Sequence, residues 1–134
     1  MSSIEGARNG RQSAPLASIE CSEHEGVRVV EVSGELDISN VDALEDATFD
    51  LPNEDLGIAL DLCATSYIDS ATLGVLFKLQ HSLQRRGQAL RVVVAAESPA
   101  QRVLELTGFD QAVICENDRV AAIGEIRRDV PLRD

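Results

Sequence analysis

Gly57-Ile58-Ala59-Leu60-Asp61-Leu62 is apolar at nearly every position, the pattern of a strand covered on both faces. It predicts the central strand of a sheet. From Ser70 to about Arg86 the apolar residues switch to helical spacing, with Leu73, Leu76, Phe77, Leu79 and Leu83 recurring along the segment. Gly87 stands where a left-handed C-terminal cap falls. A buried strand feeding a long amphipathic helix is the building unit of an α/β sheet.

Reading outward toward the N-terminus, Ser18–Ser22 and Val27–Val32 alternate polar and apolar residues, with Glu25-Gly26 between them as a turn. In the following Gly34-Glu35-Leu36-Asp37, Gly34 serves turn geometry at the strand end, while Glu35 and Asp37 either terminate the strand or contact a partner. Ser39 or Asn40 then caps a helix bearing Val41, Leu44, Ala47 and Thr48, which Pro52 and Asn53 end. Toward the C-terminus, Leu90–Val94 reads as another buried strand, and Ser98-Pro99-Ala100-Gln101 combines an N-cap, a first-turn proline and a capping-box glutamine. That helix stops at Gly108, Ala112–Cys115 forms a short strand, and Asn117 or Asp118 caps a last helix carrying Val120, Ile123 and Ile126.

The resulting order, β-β-α-β-α-β-α-β-α, predicts an α/β fold: a mixed sheet of four to five strands with about four helices packed against it. Residues 1–16, rich in Gly, Ser, Asn and Arg, are expected to form a disordered arm, residues 17–127 the domain, and residues 128–134 a flexible tail.

The chain of 134 residues carries a formal charge of -11, from 12 basic and 23 acidic residues, and is 3% aromatic without tryptophan. Such a charge repels phosphate backbones and anionic membranes, and base-stacking platforms are essentially absent, so neither direct nucleic-acid binding nor membrane insertion is expected. No apolar run approaches the roughly 20 residues that span a bilayer, and the polar start Met1-Ser2-Ser3-Ile4-Glu5 lacks the hydrophobic stretch of a secretory signal. A cytoplasmic protein is expected. Cys21, Cys63 and Cys115 lack metal-ligand spacing and read as buried free thiols, with a redox switch as the alternative.

A nucleophile elbow, a phosphate-cradling glycine loop and a metal-binding histidine pair are all missing from the sequence. His24 and His81 read as solvated surface residues, so no catalytic residue, cofactor or metal ligand is assigned. The chemistry concentrates in Tyr67-Ile68-Asp69-Ser70-Ala71-Thr72-Leu73-Gly74, where an acid and a hydroxyl sit at the handover from strand to helix. Asp69 or Ser70 would serve as N-cap, which alone accounts for both residues. The functional alternative is a phosphoryl group on Ser70, placed where free amides and the helix dipole favour an anion, yet able to repel or block a closely packed partner.

Gly34-Glu35-Leu36-Asp37, Leu60-Asp61-Leu62 leading to Ile68-Asp69-Ser70 and Leu73-Gly74, and Ser98-Pro99 with Leu106-Thr107-Gly108-Phe109 together resemble the STAS family of bacterial anti-sigma factor antagonists, over about Ser18 to Ile126. The resemblance implies that Ser70 is the phosphorylated serine, that Asp69 is the acid preceding it, and that Asp37 lies near it on the surface gripped by the kinase. The implied partner is an anti-sigma factor serine kinase, bound by the unphosphorylated form, with a phosphoserine phosphatase as a further partner. Ala71 and Thr72 depart from the family pattern, which has Ser or Thr and then Gly at these positions. Thr72 joins Asp37, Asp69 and Ser70 as a candidate partner-binding residue, or else covers the first turn of the helix. These departures keep open a second reading, an unphosphorylated adaptor or cytosolic subunit of a stress-signalling or lipid-transport complex.

Overall fold

A computed structural model describes residues 17–109 and 115–129. The elements are β1 (Ala17–His24), β2 (Val27–Leu36), α1 (Val41–Thr48), β3 (Gly57–Ile68), α2 (Ser70–Arg85), β4 (Ala89–Val93), α3 (Pro99–Thr107), β5 (Cys115–Glu116) and α4 (Arg119–Asp129). The strands form one sheet in the order β1-β2-β3-β4-β5. The β1/β2 pair is antiparallel, and the remaining pairs are parallel. This is the expected mixed sheet. The N-terminal arm, Ala112–Ile114 of the expected last strand and residues 130–134 lie outside the described residues, while α4 continues to Asp129, past the expected domain end at 127.

β3 lies mid-sheet because its side chains serve two cores. Ile58, Leu60 and Leu62 enter the larger core with Val30, Val32, Leu76, Leu79, Leu83 and Leu104, beneath α1, α2 and α3. Ala59 faces the other side, with Val27, Val29 and Val93 beneath Ala122 and Ile126 of α4. Each fully buried Leu or Ile contributes about 1.5–3 kcal/mol, so the larger core dominates the stability. Phe109 closes that core and meets Phe77 edge-on, with ring centroids 4.8 Å apart.

The smaller face adds ion pairs to its apolar core. Asp61 replaces an apolar residue in β3, and its Oδ2 accepts hydrogen bonds from Arg119 Nε and Nη2 of α4 at 2.9 and 2.7 Å. Glu31 Oε2 lies 3.2 Å from the same guanidinium, Arg91 meets Glu125 at 3.4 Å, and Arg127 meets Glu25 at 2.8 Å.

Several local signals hold. Glu25 and Gly26 take φ of 53° and 87°, the pair of positive values that a two-residue hairpin turn requires. At the end of α2, Gly87 and Gln88 donate to the carbonyls of Gln84 and Leu83 at 3.1 and 2.8 Å, a Schellman closure around the left-handed glycine. Ser98 Oγ accepts the Gln101 amide at 3.1 Å, but Gln101 Oε1 takes the Glu97 amide at 2.9 Å in place of the N-cap amide that a capping box would use.

Other expectations need correction. β2 runs past Val32 to Leu36, and β3 past Leu62 to Ile68, through register shifts that alternation does not encode. Gly34 therefore sits inside β2, with φ of 94°, beside one of those shifts. Cys21 and Cys63 are exposed rather than buried. Cys21 lies on the edge strand, and Cys63 follows Asp61 at the other register shift, where its amide donates to Asp61 Oδ1 at 2.9 Å. Burial raises the Cys21 thiol above its ordinary range. For Cys63, burial and then the hydrogen bond to Asp61 push the thiol up to about 11. β2 separates the two cysteine strands, so their backbones lie about 10 Å apart, beyond disulfide reach. A redox switch between these two thiols is excluded by that spacing.

Two outcomes follow from this packing. A Cβ on Gly57 would lie 2.1 Å from the Ala89 carbonyl oxygen, so Gly57→Ala is expected to lower stability by about 2 kcal/mol in urea unfolding. Cys63, although exposed, is expected to react with iodoacetamide at neutral pH about tenfold more slowly than an unperturbed thiol, because little thiolate is present.

Candidate functional site

β2 and β3 run parallel and end together, and the candidate residues lie where both chains leave the sheet. The Asp69 amide donates to the Leu36 carbonyl at 3.2 Å, which ties the two exits. After β2 the chain turns immediately. The Asp37 carbonyl accepts the amides of Asn40 and Val41 at 3.1 and 3.0 Å. Its carboxylate Oδ1 accepts the Ser39 amide and hydroxyl at 2.9 and 2.5 Å, a local closure for which a short acid is suited. Asn40 occupies the N-cap position of α1 without a side-chain cap bond. Its side chain turns back, accepting from the Asp37 amide at 3.0 Å and donating to the Glu35 carbonyl at 2.8 Å. The expected cap is thus spent on holding the turn.

Asp69 links this turn to α2. It is the N-cap residue, in extended conformation, and its Oδ1 accepts the Thr72 amide and hydroxyl at 2.9 and 3.0 Å. Its Oδ2 accepts the Ile38 amide at 3.0 Å. One carboxylate therefore satisfies a helix terminus and pins the turn carrying Asp37. Desolvation acts to raise the Asp69 pKa, but hydrogen bonds from Thr72, Ile38 and the Ala71 amide outweigh it and hold the carboxyl below the usual aspartate range.

Ser70 is the first residue of α2 and is exposed. Its hydroxyl has no hydrogen-bond partner among the described residues. One of the first-turn amides expected to receive an anion beside it is occupied, because the Thr72 amide already donates to Asp69. Thr72 departs from its expected place on the partner surface: it is fully buried, and its hydroxyl is bound to Asp69. It covers the first turn of the helix and positions Asp69 from below.

Asp37, Asp69 and Ser70 are thus brought to one end of the sheet, while Thr72 lies beneath it. Two neighbours escaped the sequence reading. Ile38, inside the turn, is 77% exposed, and Tyr67, paired with Glu35 at the end of β3, is 50% exposed. An isoleucine amid Asp37, Ser39 and Asn40, and the chain's single tyrosine, were the available signals.

Away from this end, a shallow cavity of about 320 Å³ between β1 and α1 is lined by Cys21, Glu23, Arg28, Asp46 and Asp50. Its arginine is already engaged by Glu23 at 3.2 Å, Asp50 at 2.5 Å and the Ala47 carbonyl at 3.2 Å. Among the described residues no group of three His, Cys, Asp or Glu side chains is placed to hold a metal, and no helix is long and apolar enough to cross a membrane.

A profile of the STAS domain matches residues 18–122. The chain belongs to the STAS domain family. This STAS domain is similar in structure to an anti-sigma factor antagonist from Mycobacterium paratuberculosis, at 28% identity over 86% of this chain and 98% of that one, with a TM-score of 0.75. It is likewise similar to a putative anti-sigma factor antagonist from Thermotoga maritima, at 27% identity over 82% and 95% of the two chains, with a TM-score of 0.70. The unphosphorylated anti-sigma factor antagonist SpoIIAA, at 15% identity over 86% of this chain and 100% of its own, shares the STAS fold with a TM-score of 0.63. A search of curated proteins by sequence returns no match.

Removing the Asp69 carboxylate deprives both α2 and the turn of their shared acceptor. Asp69→Ala is expected to destabilise the STAS domain by about 1–2 kcal/mol in urea unfolding near pH 7. Because the folded-state pKa is depressed, the stability from Asp69 is present above the unfolded-state value near 4. It is lost as pH falls through the lower folded value, so the gap between wild type and variant closes in acid.

Proposed function

We propose that this STAS domain is an anti-sigma factor antagonist of the cytoplasm. Its unphosphorylated form binds an anti-sigma factor serine kinase and frees the sigma factor, and phosphorylation of Ser70 ends that binding. The observation that carries the reading is the exposed Ser70 hydroxyl at the first position of α2, flanked by an Asp69 held rigidly by Thr72 and Ile38. The similarity to anti-sigma factor antagonists gives this geometry its context.

The arrangement suits a switch based on blocking rather than refolding. A phosphate on Ser70 carries a charge near -1.5 to -2, and the Thr72 amide of the first turn is already given to Asp69. With that amide taken and Asp69 beside it, the group stays largely hydrated and outward, in the space a closely packed partner needs. The larger core lies behind the helix start and is untouched. Asp37, Asp69 and Ser70 form the grip, Thr72 acts through Asp69, and a phosphoserine phosphatase resets the protein. The domain works by binding, without turnover of its own.

The second reading, a constitutive adaptor or cytosolic subunit of a stress-signalling or lipid-transport complex, is favoured by Thr72. Its buried hydroxyl fixes Asp69 without any modification of Ser70. The two readings part on phosphopeptide mapping of protein purified from its own host, with Ser70→Ala alongside. A single phosphate on Ser70, absent from the variant, is expected, together with loss of kinase binding by Ser70→Asp. An unmodified Ser70 across growth and stress conditions, or a Ser70→Asp protein that binds as tightly as wild type, would leave the adaptor reading in possession.

A further inference from the structure

Ile38 and Tyr67 are large apolar side chains left to water at the end of the sheet where Asp69 and Ser70 lie, at 77% and 50% exposure. Exposed apolar residues are ordinary when scattered, but these two occupy the exits of adjacent parallel strands, and Glu35 pairs with Tyr67 in the ladder. Ile38 is also held in place. Its amide is bound to Asp69, and the turn around it is closed by Asn40 on the Glu35 carbonyl and by Asp37 on Ser39. A mobile tip could fold its isoleucine back against the core, whereas this turn presents it outward. The ordering cost of that presentation is met before any partner arrives.

The surroundings indicate what the two side chains would meet. Glu35 is exposed, Asp37 and Asp69 are partly so, and none of the three has an ion pair among the described residues. Apolar side chains that share this end of the sheet with carboxylates lacking ion pairs complement a recess that is apolar at its centre and cationic at its edge.

Building on the reading of this domain as an antagonist, we infer that Ile38 and Tyr67 are its apolar anchors. They enter a recess on the anti-sigma serine kinase, rimmed by Arg or Lys that face Glu35, Asp37 and Asp69. The anchors account for the effect of a phosphate at Ser70. A hydrated anion at the same end of the sheet works against closing both side chains into a recess that must be dry.

The test titrates the purified anti-sigma serine kinases of the host with wild-type protein, Ile38→Ala, Tyr67→Ala and, as a control, Val120→Ala, whose side chain is 76% exposed on α4. Thermal unfolding checks that each variant remains folded. Each anchor variant is expected to weaken kinase binding at least fivefold, with Val120→Ala within twofold of wild type, and association is expected to slow as salt rises. If a kinase binds the wild type but either anchor variant loses less than fivefold, or Val120→Ala loses as much, the anchors are overturned while the antagonist reading stands. If no kinase binds the wild type, the antagonist reading fails and the inference falls with it.

Discussion

Asp69 ties together three chain segments, two through its carboxylate and one through its backbone amide. Through Oδ1 it terminates α2 on Thr72, through Oδ2 it fixes the turn after β2 at Ile38, and its own amide binds back to Leu36. Without it, the ends of two parallel strands would still be adjacent, because the ladder sets their register, but the chains leaving them would be free to diverge. The surface that carries Asp37, Ile38 and Ser70 is therefore a property of that carboxylate as much as of the sheet. A neutral capping residue could satisfy one amide, but the ionised acid can serve two sites from its two oxygens.

How far this was legible in the sequence depended on the range of each interaction. The central strand could be read from Gly57–Leu62 because burial on two faces leaves a continuous apolar run, and the turns at Glu25-Gly26 and Gly87 because positive φ favours glycine. Ser98 was readable as a cap, and Asp69 or Ser70 as another, because a short side-chain acceptor before a helix is a local signal. The extensions of β2 to Leu36 and β3 to Ile68 were not, since register shifts break the alternation that marks a strand. For Thr72 the sequence left a partner-facing place and a cover for the first turn both open, because helical spacing near a first turn does not tell which side faces Asp69. The structure has the second. The exposure of Cys21 and Cys63 depended on sheet edges and on where α4 begins, which are tertiary facts. Asp37, Asp69 and Ser70 could be named from their motif, but the bond that unites them, from Ile38 to Asp69, spans thirty-one positions and leaves no local trace.

The two faces of the sheet are held by different physics. α1, α2 and α3 cover one side with aliphatic packing around Leu60, Leu76 and Leu104, whereas α4 contributes few buried apolar residues and meets Asp61, Glu31, Arg91 and Glu25 through ion pairs. Asp61 is the most enclosed of these acids. Desolvation works against its charge, but hydrogen bonds from Cys63 and Arg119 prevail and keep its carboxyl below the ordinary range. Such a pair gives orientation more than net stability, and it sets where along β3 the last helix begins.

That division has a consequence during synthesis. Val27, Val29, Ala59 and Val93 belong to strands made early, but the helix that covers them, Arg119–Asp129, is the last described element to leave the ribosome. The nascent sheet can complete its larger core while an apolar stripe on its other side still faces solvent. For that interval the emerging chain is open to chaperones and to neighbouring chains.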